Sequence, residues 1–284
     1  MNDEIVNLIP ARIDCYLRLS MVEGINDCPM FIVLDVNSNR KLLMKCFYKE
    51  SKVYKQLNNS EINILSVLNH PNIIFIKSKI IQDNFAYMFM DYYQEGDLWR
   101  AISERKEIDF EMMKAIMYDL AKAVYHMHCQ DIIHGNISLE NVLLDGTDKK
   151  NAILTGFSRA SLNEVIISEE NYSNFINNYT IYLSSIKRES CRENHRVILG
   201  KPDDVYALGI VFHYLLSYLE SLDLVDFQSK VLIKDLIMSM IEPDPQKRIS
   251  IDKVYNSEVF SKSLILVSLQ RIFDQMDQNE ELFL

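Results

Sequence analysis

The chain is poor in glycine, with seven in 284 residues. A loop that folds closely over a phosphate normally uses two or three glycines, because a Cβ blocks the approach of the backbone. Few stretches here can supply such a loop. Cysteine is sparse and odd in number: Cys15, Cys28, Cys46, Cys129 and Cys191. They are scattered and form no CxxC pair, which excludes the common zinc spacings and a disulfide framework. They read as reduced thiols of a cytosolic or nuclear protein. No apolar run approaches the roughly 18 residues of a membrane span, and there is no internal repeat or low-complexity tract. The first residues, MNDEIVNLIPAR, carry early acids and no long apolar stretch, unlike a secretory signal. Basic residues are the minority sign: 30 Lys and Arg face 40 Asp and Glu, for a net charge of −10. That balance argues against nucleic acid or an anionic membrane surface as partner.

What is present suits a globular protein. The chain is 48% hydrophobic and 25% charged, and its length fits one large domain or two lobes around a cleft. MFIVLDV and KLLMKCFY, joined by NSNR, read as paired strands within Met30–Tyr48. Lys52 to Asn69 reads as a helix, broken by His70-Pro71-Asn72. IIFIKSKII and AYMFMDYY read as two more strands. After Gly96 the pattern turns helical, over Leu98–Arg105 and Phe110–His128, where Met113, Ile116, Met117, Leu120, Ala121 and Val124 recur at helical spacing. Two short apolar runs follow, IIHGNISLENVLLD and NAILTGF. Residues 161–200 are polar and irregular, and helices return over Asp204–Glu220 and Lys230–Ile241.

In this order, the elements and their motifs resemble the protein kinase superfamily, in its serine/threonine-like branch, over roughly residues 13–261. KLLMK ends in Lys45, where the family holds nucleotide phosphates, and SEINILSVLNHPNI carries Glu61 where the family places the acidic partner of that lysine. MFMDYYQEGDL resembles the hinge, with Met90 as gatekeeper and Asp91, Tyr93 and Asp97 along the nucleotide edge. HGNISLEN, from His134 to Asn141, resembles the catalytic loop, LTGFS the magnesium loop, and DDVYALGIVFHYLL the central helix with Asp204 as its buried acid. EPDPQKRISIDKV carries Arg248 as a buried arginine. The resemblance implies an α+β, bilobal kinase-like fold. It would comprise an N-terminal tail at 1–12, an N-lobe at about 13–90, a hinge at 91–96, a C-lobe at about 97–261 and a helical tail at 262–284.

Measured against that family, the residues that move a phosphate are missing. Asn136 stands where the resemblance puts the catalytic aspartate, and an amide cannot accept the hydroxyl proton, a loss of about 10²–10⁴ in rate. Ser138 replaces the lysine that meets the γ-phosphate. Gly156 replaces the magnesium-binding aspartate, leaving Asn141 as one neutral ligand. SMVEGINDCPMFIV keeps only Gly24 of the phosphate-covering loop, and Leu43 enlarges the side chain that lies over adenine. Gly135 stands where an arginine would pair an activation-loop phosphate. Ile186 replaces the glutamate that pairs the buried arginine, so Arg248 must find another acid, such as Glu189 or Asp203, or reach water. The structural members remain: His134, Phe157 and Leu65 of the stack joining the lobes, Leu43 and Leu143 of a second, and Asp204.

The expectation is therefore a pseudokinase acting as scaffold or allosteric regulator, with a protein partner such as an active kinase. The alternative is a divergent, weakly active serine/threonine kinase using Lys45, Glu61 and Asn141. No cofactor is required. ATP is a candidate ligand against which Leu43 counts, and magnesium is not expected. Each residue taken singly has a plainer reading, as surface charge or core histidine; the order carries the inference. KRESCRENHR, at 187–196, reads as a solvated basic loop, with docking of an acidic partner as the sharper option. Glu164 to Thr180 reads as a polar loop. Ile265, Leu269, Ile272, Phe273 and Met276 share one helical face that packs on the large lobe or enters a partner's groove. His126 and His128 lie two apart on a helix and do not share a metal ion.

Overall fold

The computed structural model describes residues 6–22, 28–49, 61–146, 152–167, 175, 179–194 and 197–260. Its first part is one antiparallel sheet of β1 (Arg12–Ile13), β2 (Tyr16–Val22), β3 (Met30–Asp35), β4 (Arg40–Tyr48), β5 (Ile76–Gln82) and β6 (Phe85–Asp91), with α1 (Glu61–Val67) between β4 and β5. The strand order is β1-β2-β3-β4-β6-β5. The β3–β4 turn is fixed by Asp35, whose carboxylate accepts from the Asn37 N–H at 3.0 Å and the Ser38 hydroxyl at 2.6 Å.

β6 is apolar nearly throughout because both of its faces are covered. Phe85, Tyr87 and Phe89 enter an outer cluster with Phe31, Val33 and Met44, while Ala86, Met88 and Met90 join the main core. The same period of two orients Lys45. On β4, Leu42, Met44 and Cys46 fill the outer cluster, so Leu43, Lys45 and Phe47 share the face turned toward α1 and the helical lobe.

The second part is mainly helical: α2 (Leu98–Ser103), α3 (Phe110–His128), α4 (Ser185–Asn194), α5 (Lys201–Ser221), α6 (Phe227–Met240) and α7 (Ile251–Tyr255). Short strands β7 (Ile132–Ile133), β8 (Val142–Leu144), β9 (Ala152–Leu154), β10 (Ser161–Leu162), β11 (Val165–Ile167) and β12 (Val197–Leu199) pair as β7–β10, β8–β9 and β11–β12. The α+β architecture of two lobes is the one the sequence implies. All six periodic residues of α3 are buried, and Asp109 caps its start by accepting the Met112 N–H at 2.7 Å. Among the described residues no helix is long and apolar enough to cross a membrane.

Several boundaries differ from expectation, each for a local reason. β5 starts at Ile76 rather than Ile73, because the Ile74 N–H goes to the Leu154 carbonyl and so ties this run to β9. α5 starts earlier than Asp204: Asp203 accepts the Gly200 N–H at 2.9 Å and Pro202 sits in the first turn. α6 starts at Phe227 because Asp226 caps it through the Ser229 N–H. The basic run is corrected more substantially. It is not a loop: Ser185–Asn194 is helical, opened by Ser184, whose hydroxyl accepts the Lys187 N–H at 3.2 Å. Lys187 is also engaged, at 2.7 Å from the Ile198 carbonyl and 3.2 Å from Asp203. Of the expected helix over 52–69, Glu61–Val67 is helical and residues 50–60 lie outside the described residues. So do Gly24, residues 168–174, 176–178 and 195–196, and 261–284.

One buried side chain fastens the loop that follows β7. Asp204, 1% exposed on α5, accepts the backbone N–H of His134 at 2.8 Å and of Gly135 at 2.9 Å, and bonds His128 Nε2 at 3.0 Å. Asp204→Ala leaves two buried N–H groups unpaired, at about 1–3 kcal/mol each. A matching fall in the urea midpoint at constant slope is the expected result, and an unchanged midpoint contradicts this role.

Candidate functional site

The cleft between the lobes is bounded above by Lys45. Its ammonium lies 2.6 Å from the Glu61 carboxylate, with side-chain exposures of 14% and 5%. The pair joins β4 to the first turn of α1, and low exposure makes each charge depend on the other. Leu43 lies two residues before Lys45 on the same face and pairs across the sheet with Met90.

The floor is the loop from His134 to Asn141. Burial pushes the His134 imidazole below its ordinary value, with Asp204 opposing that shift. The neutral ring accepts the Asn136 N–H at Nδ1 (3.1 Å), so Nε2 carries the proton and donates to the Thr155 carbonyl at 2.9 Å. Phe157 meets this ring edge-on, with centroids 4.6 Å apart. Two tyrosines hold the loop from the side of residues 179–182. The Tyr179 hydroxyl donates to the Ile137 carbonyl at 3.1 Å, and the Leu139 N–H donates to the Tyr182 oxygen at 3.2 Å.

The degenerate positions are all occupied. Asn136 Oδ1 accepts from Arg159 Nη1 at 2.5 Å, and the Asn136 carbonyl accepts from Asn141 Nδ2 at 2.8 Å. Ser138 is buried. Gly156 has φ +85°, and a Cβ there would overlap the side-chain amide of Asn141. Thus Asn141 fills the space beside residue 156 that a larger side chain would claim.

Arg159 is the member that sequence reasoning missed. Burial pushes its guanidinium below its ordinary value, and the group lies 4.9 Å from the ring centre of buried Phe175. Among the described residues no carboxylate forms an ion pair with it. The available signal was its isolation: Arg159 is the one basic residue between Lys150 and Lys187.

The remaining candidates sit around the rim. Asp97 caps α2 by accepting the Arg100 N–H at 2.7 Å, and Asp91 pairs with Lys77 at 3.1 Å. Burial pushes the Tyr93 phenol up to about 12. Leu43, Tyr93 and Leu143 pack on the main core. Arg248 lies farther off. Its nitrogens donate to the carbonyls of Glu242 (2.8 Å), Pro202 (2.6 Å) and Pro243 (3.0 Å). The acid near it is Asp203, at 3.9 Å, and not Glu189. Among the described residues no three His, Cys, Asp or Glu side chains converge as metal ligands.

Comparison with known proteins gives the same picture. The chain is 24% identical over 251 residues to the probable serine/threonine-protein kinase fhkD of Dictyostelium discoideum, covering 78% of this chain and 33% of that protein. It is 28% identical over 215 residues to developmentally-regulated protein kinase 1 of the same organism, covering 69% and 28%. It is 23% identical over 235 residues to serine/threonine-protein kinase ULK3 of Xenopus laevis, covering 75% and 48%. The chain spans less than half the length of each of these relatives. A profile of the protein kinase domain matches residues 29–260; with the two lobes and the cleft they enclose, this places the chain in the protein kinase domain family.

Proposed function

We propose that this chain acts by binding rather than by phosphoryl transfer, as a kinase-fold scaffold or allosteric regulator of a protein partner such as an active kinase. The observation that carries this reading is the contact of Arg159 with Asn136. Phosphoryl transfer needs a carboxylate to orient the nucleophile and take its proton. At this position the side chain is an amide, and its oxygen is already spent on an internal arginine. That arginine also brings a cation to where a base would have to work.

Magnesium fits the site poorly. It wants hard oxygen ligands in near-octahedral geometry. Gly156 offers none, and Asn141, whose Nδ2 donates to the Asn136 carbonyl, has a single neutral amide oxygen to give. Catalysis through a metal–nucleotide complex is therefore not part of this reading. A second reading, weak serine/threonine kinase activity, is favoured by one specific feature, the intact Lys45–Glu61 pair, and by the names of the relatives.

The two separate in one preparation. Labelled phosphate transfer to a generic protein acceptor should not exceed that of Lys45→Met, and ATP with magnesium should not raise the thermal midpoint above ATP alone. Turnover abolished by Lys45→Met would instead establish the enzyme.

Two substitutions probe the floor directly. Asn136→Asp gives Arg159 a charged acceptor, and a charge-assisted bond is about twice as strong as a neutral one. A gain of about 1–2 kcal/mol without activity is expected, and a loss of stability would show that Arg159 does not face this side chain in solution. Gly156→Asp meets both the left-handed backbone and the Asn141 amide. It should cost about 2–4 kcal/mol in chemical denaturation, and a neutral result rules out the crowding at this corner.

A further inference from the structure

Two imidazoles face each other where the lobe of the sheet meets the helical lobe. His70, in the loop between α1 and β5, has its ring centre 5.0 Å from that of His126 on α3. Both rings accept a hydrogen bond. His70 Nδ1 takes the Asn72 N–H at 3.1 Å, and His126 Nε2 takes the Gln130 side-chain amide at 2.9 Å. An imidazolium has no acceptor nitrogen, so protonation ends either bond. Among the described residues no carboxylate forms an ion pair with either ring. The charges that act on His70 are those of His126 and Lys122, both on α3, and each lowers the affinity of His70 for a proton. Lys122 is itself 2.8 Å from Asp119. β9 and the rest of the loop carry no titratable side chain, and the one on α1, Glu61, is taken by Lys45.

This loop forms a seam with β9. The Asn72 carbonyl takes the Leu154 N–H, the Ile74 N–H donates to the Leu154 carbonyl, and Asn72 Nδ2 donates to the Ala152 carbonyl, each at 2.9 Å. Asn72 is buried, and its Oδ1 has no hydrogen-bond partner among the described residues. The corner thus already carries one unsatisfied polar atom. Loss of the acceptor for the Asn72 N–H adds a second, which burial makes unfavourable. β9 runs on into Thr155, whose carbonyl receives His134, so a change at the seam reaches the cleft floor.

We propose that His70 is an acid-sensitive latch: its protonation strips the acceptor from the Asn72 N–H, sets a cation against His126 and Lys122, and frees the loop between α1 and β5 from β9. Burial, reinforced by His126 and Lys122, pushes the His70 imidazole down to about 4, below the roughly 6.5 of a free histidine. The closed seam therefore binds this proton less readily than an open one. It is fully held above about pH 6.5 and weakens as pH falls from there towards about 4. His70 is half-buried, and screening by solvent trims the effect.

Amide hydrogen exchange of the full chain reads the seam at Ile74 and Leu154, with each rate divided by the intrinsic rate at the same pH. Between about pH 7.5 and about pH 5, their protection should fall on the order of tenfold. His70→Asn supplies an oxygen that can accept the N–H two residues on, as an Asx turn does, and it does not titrate. This variant should match wild type at neutral pH and lose most of the fall at acid pH. His134, whose imidazole burial also depresses, is present in both chains and cancels. An equal fall in His70→Asn overturns the proposal. So does an NMR titration of the wild-type His70 ring whose midpoint lies at or above the free-histidine value, a reading that stands even where the variant folds poorly.

Discussion

The carboxylate of Asp204 is the constraint from which the rest of the cleft floor follows. It is buried on the central helix α5 and receives two consecutive backbone N–H groups and a histidine nitrogen. Those bonds fix the loop at His134 and Gly135 before any side chain of the loop acts. His134 is then pinned between Thr155 and the Asn136 N–H, and Phe157 is pinned against His134. In the upper lobe the Lys45–Glu61 pair performs the corresponding task between sheet and helix. A scaffold of this kind persists without chemistry, because none of its bonds requires a nucleotide or a metal.

Two arginines, Arg248 buried and Arg159 half-buried, show how differently one charge can be accommodated. Arg248 lost the glutamate expected at 186 and is met by three carbonyl oxygens, with Asp203 behind them. Carbonyl dipoles aimed at a guanidinium replace much of its hydration without a full counter-charge. Asp203 is shared, since Lys187 also approaches it. Arg159 is held by a neutral amide oxygen and an aromatic face. Burial pushes both guanidiniums below their ordinary value, yet only Arg159 reaches the loop from His134 to Asn141.

Much of this was legible from the residues. KLLMKCFY read as a strand whose motif set Lys45 opposite Glu61, and the helical period of α3 named its buried side. The ordered motifs brought distant positions such as His134 and Asp204 into one frame. What stayed hidden depends on three-dimensional fit. The polar run after Ser184 looked like a loop because its helix is anchored by caps and cross-links rather than by an apolar stripe. Arg159 was invisible because nothing in FSRA says that its side chain folds back onto Asn136. The acid serving Arg248 was one of two named in advance, and only packing chose between Asp203 and Glu189.

The crowding at Gly156 makes two side chains compete for one place. A side chain at 156 requires Asn141 to move, and Asn141 is held by its bond to the main-chain carbonyl of Asn136. That carbonyl is present whatever residue stands at 136, so the tether outlasts a change of side chain there. Whichever group sits at this corner, the amide of residue 141 or a substituent on 156, does so by evicting the other.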